Sequence, residues 1–378
     1  MDNGAARRDF GAHLTALRKA AGLSQAQLAA QLCLLSGTAT LTRNEISRWE
    51  RGLRVPDAWL TSLAAVLDVP AAELHHAAAR ARGEAGEPQD DHPHAAVLRR
   101  VGWLLAHDNA HGGDHVADAA VQVWRSERAK IKDGDKGHLR VVSELAEIAG
   151  WLLFDAARRE EARAAWLESL HMARGAADFP MQWFAMDLLS MEAVESGRVG
   201  EALSLCEEIT GRGVPPRVAL LTELRRSRAL AAAGDHARAQ QAIGKARSSL
   251  EDSLNPRDPL WSWWVNDLEV TGHEAEVALL LDEPARAVSS FERTRELVEA
   301  VNPTGRGALY YTTAELDALV RLGAWRQAEE PLLRLPPILH NVTSSRNRRR
   351  LRKTLGAVRR NGPSWLADTA HDVMTGCS

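Results

Sequence analysis

The sequence predicts an all-α protein in two parts, a small bundle of short helices at the N-terminus and a long array of paired helices behind it. Three observations predict this. Apolar residues recur at spacings of three and four and rarely alternate, which marks amphipathic helices rather than strands. Capping patterns and glycine stops divide the first 80 residues into short helices. Beyond them one turn pattern returns five times at intervals of 37 to 48 residues, the mark of stacked repeats. At 378 residues the chain is too long for one small bundle and needs two or more cores.

In the first part, Phe10, Leu14 and Leu17 mark the buried side of a first helix, which Gly22 ends. Ser24, with Gln27 three residues on, opens a second helix that carries Leu28, Leu32 and Leu35. Thr42 and Glu45 repeat the capping-box spacing at the start of a third, short helix, and Gly52 supplies its stop. Ile46 and Trp49, three apart, face inward. Arg43, Asn44, Ser47 and Arg48 are thereby left outward at the N-terminal end. Pro56 opens a fourth helix with Leu60, Leu63 and Leu67, and a fifth follows through Leu74.

Five short helices in about 80 residues, with Leu23-Ser24-Gln25 at the second and Ile46-Ser47-Arg48-Trp49-Glu50-Arg51-Gly52 in the third, resemble the lambda-repressor-like, XRE-type helix-turn-helix family of bacterial regulators. The resemblance implies roles position by position. Arg43, Asn44 and Arg48 would reach base edges, Arg suiting guanine O6/N7 and Asn suiting adenine N6/N7, with Ser47 a weaker reader. Gln25 would hold a phosphate at the second helix's N-terminus, and Arg51 and Arg54 would contact phosphate after the third. Arg18 and Glu50 match an internal ion pair of the family and are assigned to structure. One departure stands out: the turn between second and third helices is usually three or four residues, whereas nine residues, Cys33 to Leu41, separate Leu32 from Thr42. We read the second helix as running one more turn to Leu35, Gly37 as its C-cap, and Thr38 to Leu41 as a longer loop.

Charge agrees with that head. Residues 1–80 carry nine Lys/Arg and seven Asp/Glu, a net +2, and the whole-chain charge of -3 leaves -5 for the rest. A weakly basic head implies modest affinity for a single copy, which dimerisation would raise. Hydrophobic content is 45%, and no stretch approaches the roughly 18 uninterrupted apolar residues of a membrane helix. The N-terminus, with Arg7, Arg8 and Asp9, lacks a signal-peptide core. Cys33, Cys206 and Cys377 are odd in number, widely spaced and without a Cys-x-x-Cys pair, which argues against a disulfide framework or zinc ribbon and for a reducing cytoplasm.

Residues 81–93 have two prolines and no large apolar residue and read as a linker. From 94 to 378 the chain is helical in pattern. Its repeat shows in the turns before Ala162, Ala202, Ala239, Ala287 and Ala328, each with a small or turn-forming residue five positions earlier: Ala157, Gly197, Gly234, Asp282 and Gly323. The alanine lets paired helices approach closely. Such units resemble tetratricopeptide repeats, so residues 94–378 are expected to form a TPR-like α-solenoid with a concave surface for a ligand or partner. A degenerate further unit is placed at residues 94–130, with its turn at His111-Gly112-Gly113-Asp114. The whole resembles bacterial regulators that join an XRE-type head to a tetratricopeptide body, some of which bind short signalling peptides.

Three features allow more than one reading. Trp261-Ser262-Trp263-Trp264, from a chain with 12 Trp, would sit on a helix after Pro259 with rings that cannot all face one way. Either they fill gaps between stacked helices, or Trp261, Trp263, Trp264 and Asn266 line an effector groove. His107, His111 and His115 have metal-like spacing, but Gly112-Gly113 interrupts the helix, so a solvated turn is preferred. The basic run from Arg346 to Lys353 is either a phosphate-binding patch or the solvated face of a capping helix with Leu351, Leu355 and Val358 on its buried side, and we favour the helix.

No nucleotide-, zinc- or nucleophile-type catalytic motif is present, so neither an enzyme nor a cofactor is expected. The expected protein is a cytoplasmic, sequence-specific transcriptional regulator. It would bind double-stranded DNA at a near-palindromic operator as a homodimer, with a body that dimerises or binds a peptide, small-molecule or protein effector. The alternative is an interaction scaffold that its head tethers to DNA.

Overall fold

The computed structural model describes residues 3–36, 41–69, 71–83, 95–299 and 302–375, and among them there are helices and turns but no β-strand. The first five helices are α1 (Asn3–Ala20), α2 (Gln25–Ser36), α3 (Arg43–Glu50), α4 (Leu60–Leu67) and α5 (Ala71–Arg82), with a 3-10 turn at Asp57–Trp59 before α4. Then come α6 (Ala95–His111), α7 (Ala117–Arg128), α8 (Lys136–Asp155), α9 (Arg159–Gly175), α10 (Phe179–Glu195), α11 (Val199–Thr210), α12 (Pro216–Ala232) and α13 (His236–Ser249). After a second 3-10 turn at Leu260–Trp264 follow α14 (Asp267–Leu280), α15 (Pro284–Glu299), α16 (Arg306–Leu322), α17 (Trp325–Asn341), α18 (Ser345–Asn361) and α19 (Ser364–Thr375).

Contacts divide the chain into two units. One comprises Met1–His92, Thr210–Leu224 and Gly244–Val270; the other comprises Pro93–Ile209, Arg225–Ile243 and Thr271–Ser378. Two pieces of the region expected to form a separate body therefore cluster with the head. The expected linker falls mostly outside the described residues, but residues 81–83 complete α5 and its turn, and Ala81 is fully buried.

In the first unit the predicted apolar stripes meet in one core. Leu14, Leu28, Leu32, Ile46, Leu63 and Leu74 are completely buried, with Phe10 and Trp49 close to it. Two glycines set how closely α1 meets α3. A Cβ on Gly11 would fall on the Glu50 carbonyl, and one on Gly52 would lie 2.6 Å from the Arg7 carbonyl oxygen. Gly52 also has φ +69°, a conformation that side-chain-bearing residues rarely adopt. The residues of the lengthened turn, 37–40, lie outside the described residues, as does the expected C-cap Gly37. At its two ends the Cys33 sulfur lies 3.4 Å from the Leu41 carbonyl oxygen.

The second unit shows why the turn pattern repeats. Ala157, Gly197, Gly234, Asp282 and Gly323 all have positive φ, between 58° and 76°. In each case the following N–H donates back to the fifth residue before it: Arg158 to Leu153, Arg198 to Ala193, Asp235 to Leu230, Glu283 to Ala278, Ala324 to Leu319. The left-handed residue itself donates three back, as in Gly197 to Val194 at 3.1 Å. This is the Schellman closure of a helix C-terminus, which satisfies carbonyls that would otherwise be orphaned. The alanine five residues on is the fourth residue of the next helix and is fully buried at all five positions, 162, 202, 239, 287 and 328. Its methyl group is what the packed partner helix tolerates. At Gly150 even a methyl group is excluded, since a Cβ there would lie 2.5 Å from the indole nitrogen of the buried Trp166.

The 48-residue interval between Ala239 and Ala287 exceeds the others because residues 250–266 leave the helical path. Pro256 and Pro259 block a helix there, so the predicted tryptophan helix is instead the five-residue 3-10 turn Leu260–Trp264.

Within the second unit the first helix is joined to the last ones. The Thr343 amide donates to the His111 carbonyl at 2.7 Å, the Asn341 side chain to the Ala110 carbonyl at 3.2 Å, and the Ser345 amide to Asp114 at 2.9 Å. Arg306 donates to Asp108 at 3.1 Å. Helix α18 buries Leu351, Leu355 and Val358, as a capping helix should. It also turns two of its arginines inward. Arg346 lies over the Phe154 ring at 4.6 Å and beside Glu195, and Arg350 donates to Glu276 at 2.6 Å while lying over Tyr310. Burial opposes the charge on Glu276, but the guanidinium groups of Arg350 and Arg228 outweigh it and pull its pKa down to about 2. The Phe154 and Tyr310 rings are thus covered by arginines of the chain itself.

Candidate nucleic-acid interface

Helix α3 is eight residues long and presents two different sides. Ile46 is completely buried and Trp49 is 2% exposed, which orients the opposite side outward. Arg43, Asn44 and Arg48 are exposed there, and Ser47 is half-buried. Their orientation follows from the helical spacing of the two anchors.

The cap differs from expectation. Thr42 occupies the N-cap position, with φ -119° and ψ 161°, but its side chain caps nothing. The reciprocal box forms one helix earlier, where Gln27 N–H donates to Ser24 Oγ at 3.2 Å and Ser24 N–H to Gln27 Oε1 at 2.9 Å. Glu45 is drawn away from Thr42 by cations: Arg48 donates to it at 2.7 Å, and Arg54 lies 3.8 Å from its second oxygen. A carboxylate thus restrains one expected base reader and one expected phosphate contact. That role was not read from the sequence, although the Glu45/Arg48 spacing of three on a helix signals such pairing.

At the other end of α3, Arg18 donates to both oxygens of Glu50, at 2.5 and 3.0 Å, and through its third nitrogen to the Leu23 carbonyl at 2.7 Å. The pair assigned to structure is therefore formed, and it fastens α3 to α1 and to the start of α2. Burial pushes the Glu50 pKa up, but hydrogen bonds from Arg18 and Gln25 and the Arg18 charge outweigh it and hold the group below its usual value. Gln25 spends its side-chain amide on Glu50 at 2.7 Å. Arg51 is exposed and donates back to the Ser47 carbonyl at 3.1 Å, and Arg54 is exposed beyond the helix.

The residues expected to line an effector groove are found in the first unit. The turn carrying Trp261, Trp263 and Trp264 lies against α2 and α4, with Trp261 and Trp264 ring centroids 6.5 Å apart, and Asn266 is buried, its side chain accepting from the Glu269 amide at 3.2 Å. Asn266 is thus a helix cap. The rings pack beside the head because the prolines that break the repeat carry them out of it.

Residues 9–77 match the family model described as a helix-turn-helix domain, so the head is a helix-turn-helix domain by sequence as well as by geometry. Among solved structures, a crystal structure of Bacillus thuringiensis PlcR in complex with the peptide PapR7 and DNA is similar at 14% identity and a TM-score of 0.40, over 77% of this chain and 95% of that one. At that level nothing is carried over from it. No curated protein matches the chain.

Proposed function

We propose that this protein is a sequence-specific DNA-binding transcriptional regulator that inserts α3 into the major groove. The observation that carries the reading is the outward set Arg43, Asn44 and Arg48 on a helix anchored by Ile46 and Trp49, within a matched helix-turn-helix domain. Arg43, Asn44, Arg48 and, more weakly, Ser47 read bases. Arg51 and Arg54 hold phosphates, as does the start of α2 at Gln25. The helical repeat region serves dimerisation or effector binding, with Trp261, Trp263, Trp264 and Asn266 as the candidate effector contact. Two copies would place two recognition helices about one DNA turn apart on a near-palindrome.

The test is a binding selection from random duplexes with the full chain. A conserved near-palindrome among selected sequences, and a dimer by light scattering at micromolar concentration, are the expected results. Selection of no sequence preference would overturn the reading, and a strictly monomeric protein would overturn its dimeric form.

A further inference from the structure

We propose that Arg257 is a further contact to the DNA backbone, supplied to the head by the non-helical excursion of the repeat region. The inference rests on the DNA-binding reading above and adds to it a residue far outside the matched helix-turn-helix domain. The head and residues 244–270 both belong to the first unit, so the excursion and the recognition helix are parts of one compact unit.

Three observations carry it. First, Asn255 to Asp258 form a closed turn. The Asp258 amide donates to the Asn255 carbonyl at 3.0 Å, the Asn255 amide to Asp258 Oδ2 at 2.8 Å, and the Arg257 amide to Asn255 Oδ1 at 2.9 Å. Proline in the second position fixes the backbone, which leaves Arg257 in the third position, at the tip. The base of the turn is anchored: Ser253 is completely buried and accepts from the buried Arg217 at 3.0 Å.

Second, the turn stands beside the DNA-reading edge. Pro256 lines the same cleft, of about 310 Å³, as Glu45 of α3 and Arg54, which follows α3. Third, Arg257 has no carboxylate of its own. Its side chain is exposed and forms no hydrogen bond or ion pair with a described residue, while Asp258 is turned back onto Asn255. Around the cleft two carboxylates, Glu45 and Asp57, already face three arginines, Arg48, Arg54 and Arg82. Arg257 adds to that surplus of positive charge, and an anion is what balances it. Guanidinium groups at the edge of a helix bound in the major groove meet backbone phosphates. Residues 1–80 carry a net charge of only +2, so one more phosphate contact is a real gain for the head, and a rigid turn loses little freedom in making it.

The experiment titrates the full chain with a labelled duplex of random sequence over a range of salt concentrations, since a phosphate contact is blind to sequence. Arg257→Ala is expected to make the slope of log K against log salt shallower by about 0.9, one phosphate's counterions, which at about 0.1 M salt amounts to about five- to tenfold weaker binding. Arg257→Lys keeps the charge on the same turn and should keep the slope. Lys132→Ala, which removes an exposed positive charge from the second unit, should keep it too. An unchanged slope in Arg257→Ala overturns the contact. So does an equal loss in Arg257→Lys, which marks a structural fault, or in Lys132→Ala, which marks a general field. On a selected site Arg257→Ala should weaken binding by the same factor as on random duplex, because base preference belongs to α3. Wild-type binding without sequence preference removes the regulatory reading and leaves the slopes to decide this one; a wild-type chain that binds no duplex removes both.

Discussion

Replacing Glu50 by alanine should loosen the head by about 3 kcal/mol. The Glu50 and Arg18 side chains are only 6% and 10% exposed, and three side-chain hydrogen bonds converge on this one carboxylate. Removing one partner of such a buried pair costs about 3–5 kcal/mol, because the remaining charge is left without compensation. Arg18 keeps its bond to the Leu23 carbonyl, which places the cost at the lower end. The chain has more than one unit, so a single unfolding transition is not expected, and local opening is the proper quantity. Amide hydrogen exchange of peptides from α1 and α3, read by mass spectrometry, measures it. A double replacement, Arg18→Met with Glu50→Leu, should recover most of the loss, since an apolar pair leaves no orphaned charge. Because the Glu50 pKa is held below its usual value in the folded state, its contribution is fully present above the ordinary carboxylate range. It is lost only as pH falls through the lowered folded value, so the protection of α3 amides, taken relative to the intrinsic exchange rate at each pH, should be flat from pH 5 to 8 and fall in stronger acid. A cost below about 1 kcal/mol for either single variant, or strictly additive losses in the double variant, would refute the reasoning.

Arg43→Ala, Asn44→Ala and Arg48→Ala should each cost about 1–3 kcal/mol on the selected site and relax preference at one base position, whereas Gln25→Ala should weaken all sequences alike. Repeating the selection with each variant reads this directly, and an unchanged preference in the Arg43 and Arg48 variants would remove α3 from the groove. Gly11→Ala should open the same α1 and α3 amides in hydrogen exchange as Glu50→Ala does, because its methyl group would collide with the Glu50 backbone. Ala157→Gly should stabilise the second unit by about 1 kcal/mol, because the left-handed conformation at φ 60° strains alanine and not glycine, and Gly197→Ala should destabilise it by a similar amount. Amide hydrogen exchange of peptides from α8 and α10, the helices that these residues close, is the measure for both.

Much of this fold was legible because its rules are local. The five turns announced themselves through residues 157, 197, 234, 282 and 323, since a left-handed C-terminal residue and a small residue at the fourth helical position are needs of the chain nearby. The five helices of the head were legible for the same reason. Most of what escaped the reading depends on partners remote in sequence. Gly11 looks like any helical glycine until the Glu50 backbone is brought against it. Thr42 and Glu45 have the spacing of a cap, yet Arg54 and Arg48 compete for the carboxylate and win. The tryptophan cluster was visible, but its place beside α2 and α4 depends on where a non-helical excursion lands. Arg346 and Arg350 read as a solvated basic run, and only folding brings Glu195 and Glu276 to them.

The bonds from Thr343, Asn341 and Ser345 to the end of α6 have a consequence for how the chain acquires its structure. An open array of repeats contacts only its neighbours, so it can fold from any point and tolerates loss of a terminal unit. Here residues more than 230 positions apart, such as Asn341 and Ala110, must meet before the circuit closes. The entropy of closing that loop is met late, when little else remains to form. Synthesis on the ribosome would therefore release α6 long before its partners exist, and a chain truncated before α18 would take Arg346 and Arg350 from Glu195 and Glu276, leaving Arg159 and Arg228 to face them. Such a chain should unravel from both ends at once rather than shed one repeat.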